Sequence, residues 1–210
     1  MRVDRAFAFV DLCGFTAFTD RHGDDRVVLV LAELRTALRE SAARRGVRVV
    51  KWLGDGAMLS STMIDAIAAL TVEIDQRMTE AVPSLAIRAG LSYGPVIMFE
   101  GDDYIGRSVN LAARLCDRAQ PHELLATSHV AAHSPSWVVP EPAGVTTIAG
   151  FHDPVDLCRL SLMVADDNIH DPVCRLTIPT AHAYAPSGPQ SFCSEACAGS
   201  WSDQMRGRSG

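Results

Sequence analysis

The chain has 210 residues, of which 48% are hydrophobic and 21% are charged, and its formal net charge is −6. This balance is that of a globular protein with a sizeable core, and the negative charge argues against nucleic acid or an anionic membrane as a partner. No apolar run reaches the roughly 18 residues of a membrane-spanning helix, and the N-terminus shows no signal-peptide pattern. We therefore expect a cytoplasmic protein.

The first third of the chain alternates strand and helix patterns. Residues 5–11 form a short apolar run that ends at an aspartate, which is typical of a buried strand. Residues 24–45 predict an amphipathic helix, because apolar residues recur there at helical spacing. The residues on its apolar face are Val27, Leu31, Leu34 and Leu38. Residues 47–60 predict two strands that flank Gly-Asp-Gly, a hairpin signal.

The next segments continue this pattern. A second helix is predicted from one apolar face, formed by Met63, Ile67, Leu70, Ile74 and Met78. Two strands around Tyr-Gly-Pro are predicted within 85–99, and a third helix at about 107–118. Shorter strands are predicted at 123–126, 145–149 and 155–162. The early order β-α-β-β-α-β predicts an α+β, ferredoxin-like fold with additional C-terminal strands.

The end of the chain differs in composition. The Asp-rich stretch 166–171 has the character of a linker, and beyond it periodicity gives way to Pro, Ser, Gly and Cys. We therefore predict a first domain at 1–165, and a linker with a small cysteine-rich appendage at 166–210.

Two aspartates are candidates for a metal site. Asp11 follows the first predicted strand, and Asp55 lies at the tip of the predicted hairpin. These strands are neighbours in a β-α-β-β arrangement, so both carboxylates can meet at one end of the sheet. Carboxylates together with triphosphate oxygens suit Mg²⁺. Taken alone, either aspartate could equally be an ordinary turn residue.

Four segments, taken together and in order, resemble the motifs of class III nucleotidyl cyclases. They are FAFVDLCGFT, KWLGDGAML, IRAGLSYGPV and DYIGRSVNLAARL, and the resemblance covers residues 5–162. It implies a cyclase that binds two Mg²⁺ or Mn²⁺ ions per site. By position, the implied metal ligands are Asp11, Asp55 and the backbone carbonyl of Leu12.

The resemblance also implies which residues bind the nucleotide. Lys51 and Asp103 match the residues that read adenine. If the alignment with the family motif were shifted by one residue, Asp102 would take the place of Asp103. A lysine donor to N1 and an aspartate acceptor from the 6-amino group select adenine, because guanine presents the reverse pattern. Asn110 and Arg114 match the pair that orients the ribose and stabilises the reacting phosphate.

The implied reaction converts ATP to 3′,5′-cyclic AMP and pyrophosphate. Asn110 and Arg114 lie four residues apart, so they project from one face of the predicted helix, where the guanidinium can stabilise charge on the phosphate. Arg88 lies on the strand where the family places an arginine that binds the triphosphate. Members with one such domain per chain share each site between two subunits, so the resemblance implies a homodimer.

The C-terminal cysteines form a separate pattern. Residues 171–201 resemble small YHS/TRASH-type metal modules, because Asp-Pro-Val-Cys is followed by Phe-Cys-Ser-x-x-Cys. Cys174, Cys193 and Cys197 would supply three thiolates, which suit Zn²⁺ or Cu⁺. The fourth ligand stays open, with His170 and His182 as candidates. A disordered tail with incidental thiols is the structural alternative.

Two other functions stay open beside the adenylyl cyclase. The first is a nucleotide-binding relative without catalysis, although all six catalytic positions of the family pattern are present. The second is a metal-sensing regulatory protein that uses a catalytically weak cyclase domain as a scaffold. An assay of cyclic AMP formation separates both from an active enzyme.

Overall fold

A computed structural model describes residues 1–99, 103–186 and 188–208, and over these residues the fold is built on one mixed sheet. The strand order is β2-β3-β1-β4-β6-β8-β7, with β5 paired to the end of β4. Strands β4 and β6 are parallel, and the other neighbours are antiparallel. Among the described residues, no helix is long and apolar enough to cross a membrane.

The strands are numbered in the order in which they occur along the chain. Those of the main sheet are β1 (Arg2–Cys13), β2 (Arg48–Leu53), β3 (Gly56–Ser61), β4 (Ala86–Phe99), β5 (Asp103–Ile105), β6 (Leu124–Thr127), β7 (Val138–Thr146) and β8 (Val155–Leu162). A separate antiparallel pair consists of β9 (Asn168–His170) and β10 (Thr177–Pro179).

The helices are α1 (Phe15–His22), α2 (Asp24–Arg45), α3 (Ile64–Ala81), α4 (Arg107–Arg118), α5 (Ser128–Ala132) and α6 (Glu195–Arg208). The sequence predicted the bounds of α2 and α4 correctly. Helix α2 ends where Gly46 takes a left-handed conformation with φ of 64°, which glycine adopts without steric cost. The order β-α-β-β-α-β confirms the predicted ferredoxin-like core.

The two faces of the sheet have different coverings. Alternate residues of β1, among them Ala8 and Val10, belong to the large core that also contains buried residues of α2 and α3. Phe7 points to the other face and packs with Val109 of α4 and Tyr104 of β5. Since side chains alternate along a strand, Asp11 shares the face of Phe7, away from α2 and α3.

Two strand predictions are wrong. Within residues 85–99, the structure has the single strand β4 (Ala86–Phe99) rather than two strands around Tyr-Gly-Pro. It pairs continuously with β1, from Ala86 opposite Cys13 to Ile97 opposite Arg2. Pro95 lies within β4 between the segments 89–91 and 97–99, which pair with β6 and β5, so its missing N–H leaves that ladder intact.

The strand predicted at 145–149 begins earlier, because β7 runs from Val138 to Thr146 and passes through two prolines. Proline is tolerated on an edge strand, and β7 is the last strand of the path.

The C-terminal segment packs onto the helices that cover the main sheet. Cys174, Leu176, Ile178, Phe192 and Cys197 are buried in the same core as α2 and α3. The stretch 166–171 is not only a linker, since it includes β9 and the fully buried Asp171. The domain boundary near residue 166 stays a prediction, but hydrophobic packing is continuous across it.

Candidate active site

The predicted metal-binding aspartates lie next to each other at one end of the sheet. Asp11 of β1 is paired with Gly56 of β3, so Asp55 in the adjoining turn lies beside it. A Cβ atom on Gly56 would lie 2.6 Å from the Val10 carbonyl oxygen and 3.0 Å from Oδ1 of Asp11. Glycine is therefore required there, because any larger residue would push the hairpin away from Asp11.

Arg88 is bound to one of these aspartates. It lies opposite Asp11 on β4, and its Nε and a terminal nitrogen donate to Oδ2 of Asp11 at 2.9 and 2.5 Å. A third nitrogen donates to the backbone carbonyl of Asp117 on α4 at 3.3 Å. The structure thus places the predicted triphosphate-binding arginine beside the predicted metal ligands.

The charges at this end of the sheet favour a bound cation. Burial raises the pKa of Asp55, and the neighbouring negative charge of Asp11 raises it further, while Arg88 opposes both effects. The hydrogen bond with Asp11 raises the pKa of Arg88. Two close carboxylates repel each other, and their oxygens are the ligands that Mg²⁺ and Mn²⁺ prefer. The residues present therefore fit a divalent metal site.

A cavity of about 660 Å³ opens beside these aspartates. Leu12 and Asp55 line it, together with the start of α1 at Phe15 and Thr16. Gly14 takes a left-handed conformation immediately before α1. Free backbone N–H groups at a helix start attract anions, so this cavity combines carboxylates for a cation with an anion-binding helix end.

Asn110 and Arg114 line a second cavity of about 600 Å³. Both lie on the exposed face of α4, as the four-residue spacing predicted. Arg114 is 3.6 Å from the carboxylate of Asp117, and Asp117 borders both cavities. The two cavities are therefore neighbours along α4.

The sequence analysis missed part of this second cavity. Arg107 lines it and lies over the ring of Phe151 at 5.0 Å from the ring centroid. Arg107 is three and seven residues before Asn110 and Arg114, so helical periodicity could have identified it. Phe151, by contrast, belongs to the turn before β8 and carried no such signal.

The two residues that were predicted to read the base are in contact with each other. Lys51 of β2 and Asp103 of β5 form an ion pair at 2.6 Å, with about half of each side chain exposed. Lys51 lowers the pKa of Asp103 below its ordinary value. Asp102, the alternative to Asp103, lies outside the described residues. Within the described part of the chain, neither member of this pair lines the cavity of Asp11 or that of Arg114.

The three tail cysteines converge at a separate, buried place. Sγ of Cys193 is 3.6 Å from Sγ of Cys174 and 3.6 Å from Sγ of Cys197. The fourth member of the cluster is Asp171, rather than His170 or His182. The Nδ1 atom of His170 instead lies 3.1 Å from the hydroxyl of Thr177, because the ladder of β9 and β10 pairs these residues.

Sequence comparisons identify the family. Residues 4–135 match the model of the adenylate and guanylate cyclase catalytic domain, so the chain belongs to that family. It is 35% identical over 150 residues to the uncharacterized protein Rv2212 of Mycobacterium tuberculosis, which covers 70% of this chain and 38% of Rv2212. It is 31% identical over 125 residues to an adenylate cyclase of Streptomyces coelicolor, covering 59% of this chain and 32% of that one.

Solved structures share the fold at lower identity. The adenylyl cyclase CyaB from P. aeruginosa superposes with a TM-score of 0.66 at 22% identity, covering 79% of this chain and 97% of that one. A rhodopsin-guanylyl cyclase core with converted specificity gives a TM-score of 0.69 at 19% identity, covering 77% and 97%. The chain spans about a third of the length of the curated relatives named above, 38% of Rv2212 and 32% of the adenylate cyclase.

Proposed function

We propose that this chain converts ATP to 3′,5′-cyclic AMP and pyrophosphate at sites shared by two copies of the chain. One observation carries the proposal. The pair Lys51 and Asp103 is exposed on the chain, and among the described residues neither member lines the cavity of Asp11 or that of Arg114. A single chain therefore contains every group that the reaction needs, but it does not bring all of them together around one nucleotide.

The chemistry of the pair favours adenine over guanine. Lys51 can donate to N1 of adenine, and Asp103 can accept from its 6-amino group, whereas guanine offers a donor and an acceptor in the reverse places. In the free chain the two side chains satisfy each other. Because both are exposed, the ion pair is weak and can open for the base at little cost. The relatives named adenylate cyclase are in accord with this choice.

The other side chains fit the reacting end of the nucleotide. Asn110 on α4 can hydrogen-bond to the ribose and hold its 3′-hydroxyl near the α-phosphate, which replaces a chance encounter with a fixed geometry. Arg114, one turn further along α4, can stabilise negative charge that develops on that phosphate. Arg88 and the start of α1 can hold the triphosphate.

Asp11, Asp55 and the Leu12 carbonyl would hold the two divalent ions. Bound there, Mg²⁺ or Mn²⁺ supplies Lewis-acid activation of the hydroxyl and neutralises charge on the phosphates. The fit rests on the adjacent carboxylates and on their mutual repulsion. Arg88 already offsets one carboxylate charge, and its two contacts to Asp11 keep that side chain in one orientation.

The test is the reaction itself. Purified full chain is incubated with ATP or GTP, with Mg²⁺ or Mn²⁺, and the cyclic nucleotide is quantified by mass spectrometry. We expect cyclic AMP from ATP with at least one metal, and much less cyclic GMP from GTP. Preference for GTP would refute the base assignment. Absence of both products from folded, dimeric protein would favour the competing function, a metal-sensing regulator with a weak cyclase scaffold.

A further inference from the structure

We propose that Asp171, Cys174, Cys193 and Cys197 hold one Zn²⁺ ion in a closed, four-coordinate site. We further propose that Arg45 of α2 and Glu73 of α3 fasten this site to the cyclase core. The proposal concerns a second metal centre, and it does not depend on cyclase activity.

The spacing of the sulfur atoms matches a zinc tetrahedron. All four candidate ligand atoms lie within 4.8 Å of one another, and the four residues are buried. With Zn–S bonds of about 2.3 Å, two sulfurs at tetrahedral positions lie about 3.8 Å apart. The Sγ–Sγ distances from Cys193 to Cys174 and to Cys197 are both 3.6 Å. The thiols are therefore already placed at ligand spacing.

Asp171 both organises the cluster and has capacity to bind an ion. Its Oδ1 accepts from the backbone N–H groups of Val173 and Cys174 at 2.8 and 3.1 Å, and its Oδ2 accepts from Cys193 at 2.7 Å. One carboxylate thus joins both cysteine segments. Each carboxylate oxygen has about two lone-pair directions, so Oδ2 can accept this bond and ligate a cation.

The ligand set selects zinc over copper. Three thiolates alone would suit either ion, but a carboxylate is a hard oxygen donor that Cu⁺ disfavours and Zn²⁺ accepts. Four protein ligands leave no open position, which is typical of structural zinc sites. A disulfide would use only two of the three sulfurs and would leave a buried carboxylate without a counterion nearby in the cluster.

Arg45 connects the cluster to two helices of the core. It is 8% exposed, and a terminal nitrogen donates to Sγ of Cys193 at 3.2 Å. Its Nε donates to Glu73 of α3 at 2.9 Å, and Glu73 also binds Arg44. Three thiolates, a carboxylate and Zn²⁺ carry two formal negative charges, whereas Arg44, Arg45 and Glu73 carry one positive charge. The two groups therefore attract each other through Arg45.

A further contact fixes Cys193 from the other side. The indole N–H of Trp137, which is 2% exposed, donates to the Cys193 carbonyl at 3.0 Å. A cavity of about 420 Å³ lies between these elements, and Cys193, Asp65 and Glu195 line it. Among the residues of the cluster, Cys193 lines this cavity, so an ion can approach its thiol past acidic side chains.

Metal analysis of the full chain tests the site. Protein purified without chelator should carry about one zinc per chain, and Cys158→Ser, which changes a cysteine of β8 outside the cluster, should retain it. Cys174→Ser/Cys197→Ser should lose it, and Asp171→Asn should weaken zinc affinity by about tenfold or more. Wild-type affinity in Asp171→Asn would refute the four-ligand site, as would copper in place of zinc.

A second measurement needs no variant. Wild-type chain that is stripped of metal and reloaded with Co²⁺ should show the visible absorption bands of tetrahedral, thiolate-bound Co²⁺. A spectrum typical of six oxygen ligands, or a mass two hydrogens below that of the reduced chain under non-reducing conditions, would overturn the proposal.

The role of Arg45 has its own test. Arg45→Gln/Glu73→Gln removes both charges together, and folding is checked by circular dichroism. We expect zinc affinity to fall by about 10- to 100-fold, and Arg45→Lys, which keeps the charge, to retain more of it. Unchanged affinity in the folded double variant would show that Arg45 does not support the site.

Discussion

Two polar sites, the sheet face with Asp11 and the buried cysteine cluster, differ in how exposed their side chains are and in how those side chains are grouped. At the first, charged side chains are partly exposed and divided between separate places on one chain. At the second, the four proposed ligand residues and Arg45 are all buried and all belong to one chain. An exposed, divided site can admit a substrate and a second subunit, whereas a buried, complete site stabilises the fold. The difference predicts opposite responses to mutation.

The largest effect is expected at the exposed pair proposed to read the base. Lys51→Glu/Asp103→Cys removes the proposed donor to adenine and the proposed acceptor from it, so the activity with ATP should fall on the order of 10³-fold. The thermal unfolding temperature should change little, because the pair is exposed. Initial rates with ATP and GTP measure the first effect, and calorimetry measures the second. An unchanged ATP to GTP ratio would show that neither residue reads the base.

At the buried cysteine cluster, we expect mutation to change the stability of the fold. Glu73 is fully buried between Arg44 and Arg45, and Glu73→Gln removes the carboxylate that both guanidinium groups share, although Arg45 keeps its contact with Cys193. We expect a loss of about 3–5 kcal/mol in the free energy of unfolding. The control is Glu40→Gln, which removes the more exposed partner of Arg77 and should cost less than about 1 kcal/mol. Equal losses in the two variants, measured by urea unfolding, would remove the distinction between the regions.

Local sequence patterns predicted the partly exposed site around Asp11 better than the buried cysteine cluster. The Gly-Asp-Gly hairpin and the register of β1 place Asp11 beside Asp55, and helical spacing places Asn110 with Arg114. Those relations need only neighbouring elements. Asp171 escaped prediction because it stands in an acidic stretch, and because it is buried beside Cys174 and Leu176, which belong to a core shared with distant helices. Arg45 carried no signal for the same reason, since Cys193 lies 148 residues away.

Prolines misled the prediction of strands in two different ways. In β4 the Tyr-Gly-Pro segment has the composition of a turn, but the long pairing with β1 overrides that local preference. In β7 the two prolines argue against a strand, because the sequence does not show that the segment lies at the edge of the sheet, where proline is tolerated. Both errors concern non-local pairing, which a sequence pattern does not contain.

Mixing two inactive variants tests the shared site most directly. Asp11→Asn removes a proposed metal ligand and Arg114→Ala removes a proposed phosphate-stabilising group, so each homodimer should be nearly inactive. If the two groups act on one nucleotide from different chains, a heterodimer regains one intact site. Cyclic AMP formation should then return to about half of the wild-type rate per heterodimer. Heterodimers that are confirmed by native mass spectrometry and stay inactive would contradict the account.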